Sequence, residues 1–248
     1  GVGGYFGGRL VEAGADVTFL VRSGRQALLR EKGLVIKSPA GDASLEVRTI
    51  GAGEADERFD IALVACKAYD LAATEPVLQP HVDNGALVLP LLNGMAHVDW
   101  ARDRFGHGRV VGGVCQCSTT INAEGAIEHL NPFARLIFGS FADQPNRVEV
   151  DPVLDALLET CSKAKFTARR IDPIDQSLWD KWVMLATLAG MTTLMRAAIG
   201  DIIATKEGAE LMSEFVEETI AVAPESDDQA TPDYLANVRQ LLFEPGSN

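Results

Sequence analysis

The sequence predicts an α/β protein in two parts: an N-terminal unit built on a parallel sheet, followed by a unit made only of helices. Strand-length apolar runs alternate with helical patterns through the first two thirds of the 248 residues, as expected of a sheet wound with helices on both faces. From Asp175 onward the periodicity is helical and no strand signal intervenes. Asp172-Pro173-Ile174-Asp175 marks the boundary, because proline disfavours regular helix before the long helix starts. We therefore expect domains at residues 1–172 and 173–248.

The elements of the N-terminal part follow one another closely along the chain. Strands are expected at 16–22, 33–38, 45–50, 59–66, 86–91, 109–121, 126–130, 135–139 and 165–171. Helices are expected at 3–13, 24–32, 71–78, 97–105 and 148–163. The segment Lys37-Ser-Pro-Ala-Gly-Asp42 is typical of a tight turn and predicts an antiparallel hairpin. The C-terminal part is expected to hold helices at 175–199, 206–223 and 231–243.

Composition and charge argue against several classes of protein. The chain is 47% hydrophobic and 23% charged, which is ordinary for a globular protein. It has no apolar run of the roughly 18 residues that a membrane span needs. The net charge of −13 argues against nucleic acid or an anionic membrane as a partner, because phosphates are held by excess Lys and Arg. The four cysteines lack a metal-ligand spacing, so we expect reduced thiols, a cytoplasmic location and no metal site.

A glycine-rich run, Gly1-Val2-Gly3-Gly4-Tyr5-Phe6-Gly7-Gly8, passes directly into an amphipathic helix. Glycines at a helix N-terminus let backbone N–H groups approach a pyrophosphate, and the helix dipole favours its negative charge. The run is either a complete but atypical dinucleotide motif or the end of a longer one, whose first glycines and strand lie upstream. We prefer the second interpretation, in which Gly1, Val2 and Gly3 contact the cofactor in a Rossmann-type domain. A helix that starts with a close-packing face would give the same glycines a purely structural role.

Three polar side chains stand where such a domain places its ligand contacts. Arg22 ends the strand after the glycine helix, where an arginine complements the 2′-phosphate of NADP and an acidic residue would accept from the 2′-hydroxyl of NAD. With Arg25 nearby, NADP is the expected cofactor. Lys67 and Asn93 each follow the carboxyl end of a predicted parallel strand, the edge at which open α/β sheets bind ligands. Solvated residues at strand ends would give the same pattern.

Lys181 is the strongest single candidate for catalysis. It lies in a helix, residues 178–189, that is otherwise largely apolar for three turns. A lysine in such a helix either extends its ammonium group to water or faces a cleft. Burial beside a cationic cofactor ring would lower its pKa, so that it could donate a proton near neutral pH.

Four segments in order resemble the ketopantoate reductase (2-dehydropantoate 2-reductase) family over nearly the whole chain. They are Gly3-Gly4-Tyr5-Phe6-Gly7, Cys66-Lys67-Ala68-Tyr69-Asp70, Leu92-Asn93-Gly94-Met95 and Trp179-Asp180-Lys181-Trp182. Each segment is weak alone, but their joint spacing is specific. The resemblance implies an N-terminal Rossmann domain, a C-terminal helical domain, a homodimer, and the NADPH-dependent reduction of ketopantoate to pantoate in pantothenate biosynthesis.

The same resemblance assigns roles to individual residues. Gly3 matches the last glycine of the G-x-G-x-x-G fingerprint, so the first two glycines and their strand are expected upstream. Lys67, Asn93 and a backbone contact near Ile121 match cofactor positions. Lys181 matches the catalytic lysine, and Asn93 would bridge nicotinamide, substrate and Lys181.

The sequence departs from the family pattern at positions that would hold substrate. The family has asparagines four and eight residues after the lysine, where this chain has Leu185 and Ala189, and Ile199 replaces a third. The last serine and glutamate of the family pocket are expected beyond Asn248. A less polar 2-oxo acid therefore competes with ketopantoate as the expected substrate. A hydroxyacid or polyol-phosphate dehydrogenase of the same plan would fit the pattern too, as would a non-catalytic NADP-binding regulatory protein.

Overall fold

A computed structural model of the chain describes residues 1–54 and 58–222, and contacts divide it into two compact units. The first comprises Gly1–Leu92 and Ala96–Ile174, and the second comprises Asn93–Met95 and the chain from Asp175 onward. The first unit mixes strands and helices, whereas every element described in the second is a helix. The α/β fold class with a C-terminal helical part is thus confirmed.

The first unit contains five α-helices and eleven strands among the described residues. In chain order they are α1 (Val2–Glu12), β1 (Thr18–Leu20), α2 (Ser23–Lys32), β2 (Leu34–Lys37), β3 (Ala43–Leu45), β4 (Arg48–Ile50), β5 (Ile61–Val64), a 3₁₀ helix (Ala68–Thr74), α3 (Glu75–Asp83), β6 (Leu87–Pro90), α4 (Ala96–Phe105), β7 (Gly112–Gln116), β8 (Thr119–Ile121), β9 (Ile127–His129), β10 (Arg135–Gly139), α5 (Arg147–Ser162) and β11 (Thr167–Arg170). The second unit contributes α6 (Asp175–Met195), α7 (Ile199–Ile203) and α8 (Gly208–Val222).

The strands form both parallel and antiparallel ladders. β1 pairs with β4 and β5 pairs with β6, both in parallel. A three-stranded sheet has the order β11-β10-β7, in which β10 is parallel to β11 and antiparallel to β7. A four-stranded sheet has the order β3-β2-β9-β8 and contains the predicted antiparallel hairpin of β2 and β3. A single bridge between Val88 and Val110 links β6 to the chain just before β7.

Four predicted elements are wrong in their extent. The helix expected at 71–78 is divided between the 3₁₀ helix Ala68–Thr74 and α3, which continues to Asp83. The strand expected at 109–121 is two strands, β7 and β8, in different sheets. β7 pairs with β10 and β8 pairs with β9, and between β7 and β8 the Ser118 N–H donates to Asn131 Oδ1 at 2.8 Å. The strand expected at 45–50 is divided between β3 and β4, because the first continues the hairpin and the second pairs with β1.

The helix expected at 175–199 ends early, at Met195. Arg196 has a φ of 52°, in the left-handed region, and this conformation stops the helix before α7 begins. The predicted helix at 231–243 lies outside the described residues. Within residues 1–54 and 58–222, no helix has the length and apolar character to cross a membrane, and no group of His, Cys, Asp or Glu side chains could hold a metal ion.

Glycines let α1 pack tightly onto the strands beneath it. A Cβ on Gly4 would lie 2.3 Å from Ile127 Cδ1, and one on Gly7 would lie 2.7 Å from the Phe19 ring. At such separations one of the two groups would have to move, so the glycines let the helix sit closer to these strands than alanines would without rearrangement. A close-packing helix face, the structural role considered for these glycines, is therefore present in the fold.

Candidate functional site

The first turn of α1 lies against the residue that follows β5 and against the first residue of β8. A Cβ on Gly3 would lie 2.9 Å from the Cβ of Ala65, directly after β5, and one on Gly1 would lie 3.1 Å from Thr119 Oγ1. In a dinucleotide-binding turn the last glycine has this role of close helix-to-strand packing. The hydroxyl of Thr119 is buried and has no hydrogen-bond partner within the described residues. A narrow backbone cradle with a buried polar atom beside it fits the phosphate end of a dinucleotide.

Positive charges surround this turn. The cations of Arg25 and Lys67 lie within electrostatic range of Gly1, the first residue of the turn. Arg25 donates to the carbonyl of Gly125 at 2.6 Å, which fixes its position. The cradle therefore has the electrostatic character that an anionic group requires, although the whole chain is acidic.

Arg22 comes two residues after β1 and is the N-cap residue of α2. Its side chain is 79% exposed, and Nη2 lies 2.6 Å from Oδ1 of Asp70. Asp70 belongs to the 3₁₀ helix that follows Lys67. It stands in one of the segments that carry the family resemblance, but nothing local in the sequence indicates a partner so far away along the chain.

Lys67 and Asn93 follow neighbouring parallel strands, as the sequence predicts. Val64 pairs with Pro90 at the ends of β5 and β6. Lys67 comes three residues after Val64, and Asn93 comes three residues after Pro90. Lys67 is exposed and is the N-cap residue of the 3₁₀ helix. Asn93 is also exposed, and Gly94 beside it has a φ of 91°, which allows the chain to turn sharply there.

Ile121, the remaining position expected near the cofactor, is the last residue of β8. Its side chain is 48% exposed, and it pairs with Ile127 of β9 in an antiparallel ladder. An aliphatic side chain has no hydrogen-bonding group, so any polar contact from this residue would come from its backbone.

Lys181 lies on α6 and is buried, at 9% exposure. Its Nζ atom is itself buried, which excludes the arrangement in which a lysine extends its ammonium group into water. The segment Asn93–Met95 belongs to the same unit as α6.

Asp180, beside Lys181, is half-buried. Burial raises the pKa of Asp180 to about 6, and a hydrogen bond from Gln176 Nε2 to its Oδ1, 2.6 Å long, opposes that rise. Trp179 and Trp182 form an edge-to-face pair with ring centroids 5.7 Å apart. This turn of α6 therefore holds two titratable groups and two indole rings.

The three positions that depart from the family pattern differ in how deeply their side chains are buried. Leu185 is half-buried and Ala189 is exposed, one and two turns after Lys181 on α6. Ile199 is 3% exposed and packs in an apolar cluster. The buried members of that cluster are Met191, Ile199, Ile202, Met212 and Val216. Ile199 therefore serves the core of the helical unit, whereas Leu185 and Ala189 are not among its buried members.

Comparisons with known proteins assign both parts of the chain to the same family. A family model described as ketopantoate reductase PanE/ApbA matches residues 1–143, and the model of that family's C-terminal part matches residues 173–246. The uncharacterized oxidoreductase YkpB of Bacillus subtilis strain 168 is 34% identical over 233 residues, which are 94% of this chain and 75% of that protein.

Two solved structures share the fold over almost the whole chain. The crystal structure of 2-dehydropantoate 2-reductase from Geobacter metallireducens GS-15 superposes with a TM-score of 0.82 at 25% identity, covering 100% of this chain and 81% of that one. The ternary structure of D-mandelate dehydrogenase with NADH and anilino(oxo)acetate also gives a TM-score of 0.82, at 18% identity, and covers 99% of this chain and 78% of that one. The chain therefore belongs to the ketopantoate reductase PanE/ApbA family and is an oxidoreductase acting on CH–OH groups.

Proposed function

We propose that this chain uses NADPH to reduce a 2-oxo acid to the corresponding 2-hydroxy acid. The observation that carries the proposal is the buried Nζ of Lys181 on a helix that also holds a half-buried carboxyl group. A buried ammonium group is costly for the fold, so such a group is favoured where it has chemistry to perform.

The residues around the first turn of α1 would hold the dinucleotide. The backbone of Gly1, Val2 and Gly3 would face the pyrophosphate, since N–H groups at a helix N-terminus bind anions. A Cβ on Gly3 would lie 2.9 Å from the Cβ of Ala65, so the close contact there requires glycine. Lys67 supplies a cation at the same turn. Arg22 is the candidate for the 2′-phosphate that distinguishes NADPH from NADH. The backbone of Ile121 and the amide of Asn93 complete the expected contacts with the cofactor.

Reduced nicotinamide, when bound, supplies a hydride to the ketone carbon. Lys181 would stabilise the negative charge that develops on the ketone oxygen and would then donate a proton to it from Nζ. Because Nζ is shielded from water, its charge would act on that oxygen more strongly than an exposed ammonium could. The side-chain amide of Asn93 would hold the carbonyl group in line with Lys181.

The substrate of this reaction has two candidates. 2-Dehydropantoate is the first, because a solved relative of this chain carries that activity in its name. A less polar 2-oxo acid is the second, since Leu185 and Ala189 offer no hydrogen bonds to a hydroxylated substrate. At these two positions the pocket would then gain affinity from apolar contact.

A panel of substrates tests the proposal. NADPH oxidation is followed with 2-dehydropantoate and with aliphatic and aromatic 2-oxo acids that lack its hydroxyl group, and a 3-oxo acid serves as the control. Turnover with at least one 2-oxo acid and none with the 3-oxo acid supports the proposal. Binding of NADPH without turnover of any 2-oxo acid overturns it and favours a regulatory NADP-binding protein.

We also propose that the protein is a cytoplasmic homodimer. The four cysteines are free thiols in the structure, as suits a reducing compartment. Light scattering during gel filtration would test the dimer, and fractionation of cells would test the location.

A further inference from the structure

The ion pair between Arg22 and Asp70 brings opposite charges together where the cofactor's ribose is expected. Arg22 Nη2 lies 2.6 Å from Asp70 Oδ1, and the two side chains are 79% and 30% exposed. The first residue follows β1 and the second lies in the 3₁₀ helix after β5. The pair therefore connects the segment after β1 to the 3₁₀ helix that follows Lys67.

The backbone that carries the Asp70 side chain is held in a turn. The Asp70 N–H donates to the carbonyl of Lys67 at 2.9 Å, which closes a turn at the start of the 3₁₀ helix. Both charges of the pair also act on the neighbouring Cys66 thiol: burial raises its pKa, Asp70 raises it further and Arg22 lowers it. A long, exposed arginine thus meets a carboxylate held on a short turn, so the arginine is the partner free to move.

We propose that Asp70 tunes the choice between the two nicotinamide cofactors: its carboxylate occupies Arg22, opposes the 2′-phosphate of NADPH, and accepts a hydrogen bond from the 2′-hydroxyl of NADH. This inference rests on the proposed function, in which Arg22 binds the 2′-phosphate.

The chemistry of the two cofactors gives Asp70 opposite effects on them. A 2′-phosphate carries more than one negative charge near neutral pH, so it must share or displace the carboxylate that holds Arg22 and is repelled by it. A ribose 2′-hydroxyl is a hydrogen-bond donor, and a carboxylate is its usual partner in NAD-binding sites. The exposed ion pair is weak enough to be broken on binding. The chain is therefore expected to bind both cofactors with a smaller preference for NADPH than Arg22 alone would produce.

The test measures dissociation constants for NADPH and NADH separately, by calorimetry on the full protein without substrate. Asp70→Asn removes the charge and keeps the size of the side chain. It should tighten NADPH binding about fivefold, the scale of an exposed charge pair, and should weaken NADH binding or leave it unchanged. The preference for NADPH over NADH then rises at least about fivefold.

Asp42→Asn is the matched control. Asp42 forms a similarly exposed ion pair with Lys37 in the β2–β3 hairpin, and Arg9, in the last turn of α1, bonds to the neighbouring Gly41. This control therefore removes one negative charge at the opposite end of α1, and it should leave both dissociation constants unchanged.

Arg22→Gln separates the role of the arginine from that of the carboxylate. It should weaken NADPH binding about tenfold or more and spare NADH, as expected of a charged contact to phosphate. If NADPH binding is insensitive to Arg22→Gln, the proposed role of Arg22 is wrong and the inference falls with it. If Arg22→Gln acts as expected but Asp70→Asn weakens NADPH binding or leaves the preference unchanged, only the role of Asp70 is overturned.

Discussion

A Cβ on Gly3 would lie 2.9 Å from the Cβ of Ala65, so the first turn of α1 rests directly on the residue that follows β5. The same contact positions the backbone N–H groups that would face a pyrophosphate. The glycines of α1 thus serve packing and the candidate cofactor cradle at once, and substitutions along the helix can separate these two roles.

Gly3→Ala should weaken NADPH binding more than it weakens the fold. The added methyl group meets Ala65, which cannot move aside as a flexible side chain would, so the first turn of α1 must shift away from the end of β5. We expect the dissociation constant for NADPH to rise about tenfold or more, since cofactor binding depends on close backbone approach. Titration by calorimetry would measure it.

Gly7→Ala, in contrast to Gly3→Ala, should lower the stability of the fold. Its Cβ would lie 2.7 and 2.9 Å from two atoms of the Phe19 ring, and overpacking of this kind costs about 1–3 kcal/mol. Gly24→Ala is the control, because nothing lies within 4 Å of its Cβ position and alanine favours a helix. Denaturant unfolding should show a loss for Gly7→Ala and none for Gly24→Ala; equal losses for both would refute the packing argument.

Asp180 should make the stability of the protein depend on pH in the direction opposite to most carboxylates. Burial raises the pKa of Asp180 to about 6 in the fold, against about 3.9 in an unfolded chain. Between these values the folded state binds a proton that the unfolded state lacks, so this contribution to stability falls as pH rises through the window.

Asp180→Asn removes that dependence and keeps the acceptor for Gln176. The variant should therefore be more stable than the natural protein above about pH 6 and match it below about pH 4. Thermal unfolding at pH 4 and pH 8 checks both limits. A constant difference in melting temperature across that range would mean that Asp180 does not titrate within it.

The double substitution Leu185→Asn and Ala189→Asn should shift substrate preference toward 2-dehydropantoate. Each asparagine would offer hydrogen bonds to a hydroxylated substrate, and bonds of this kind discriminate strongly when they are shielded from water. We expect kcat/KM for 2-dehydropantoate, relative to an aliphatic 2-oxo acid, to rise at least about tenfold. An unchanged ratio would place substrate recognition elsewhere.

Ile199→Asn should instead harm the fold, although the family pattern has an asparagine there. The side chain is 3% exposed among apolar neighbours, and burying an amide without partners costs about 1–3 kcal/mol. Unfolding in denaturant would measure the loss. Full stability in this variant would show that the position faces solvent or substrate.

The sequence predicts well those elements whose boundaries depend on local patterns. The strand expected at 135–139 is β10 residue for residue, since alternation of exposed and buried positions is local. The early end of α6 was missed because Arg196 adopts a left-handed φ that glycine or asparagine usually signals. The division of 109–121 was missed because β7 and β8 pair with different strands, β10 and β9, and a local pattern does not indicate the partner of a strand.

Some residues of the candidate site could be predicted from the sequence and others could not. Lys181 stands out because a lysine in an apolar helix is unusual, and its Nζ is buried in the fold. The proposed role of Asp70 could not be predicted, because it depends on the ion pair with Arg22, which the fold alone brings near it.

The upstream strand expected from the glycine motif stays a prediction. α1 packs on β1 through Gly7 and on the end of β5 through Gly3, and no ladder joins these two strands among the described residues. Each of them would gain backbone partners from a parallel strand between them.

The catalytic role of Lys181 is the central claim, and single-turnover hydride transfer in Lys181→Met tests it most directly. Methionine keeps the length of the side chain and removes the charge, so the fold should be retained. Lys163→Met, at the exposed C-terminal end of α5, is the matched control.

With enzyme and NADPH in excess over the preferred 2-oxo acid, we predict that Lys181→Met slows the loss of NADPH absorbance at least about a hundredfold, the scale of general-acid catalysis. Its dissociation constant for NADPH should stay within about twofold of the natural value. Hydride transfer at the natural rate in a folded, NADPH-binding Lys181→Met variant would contradict the account.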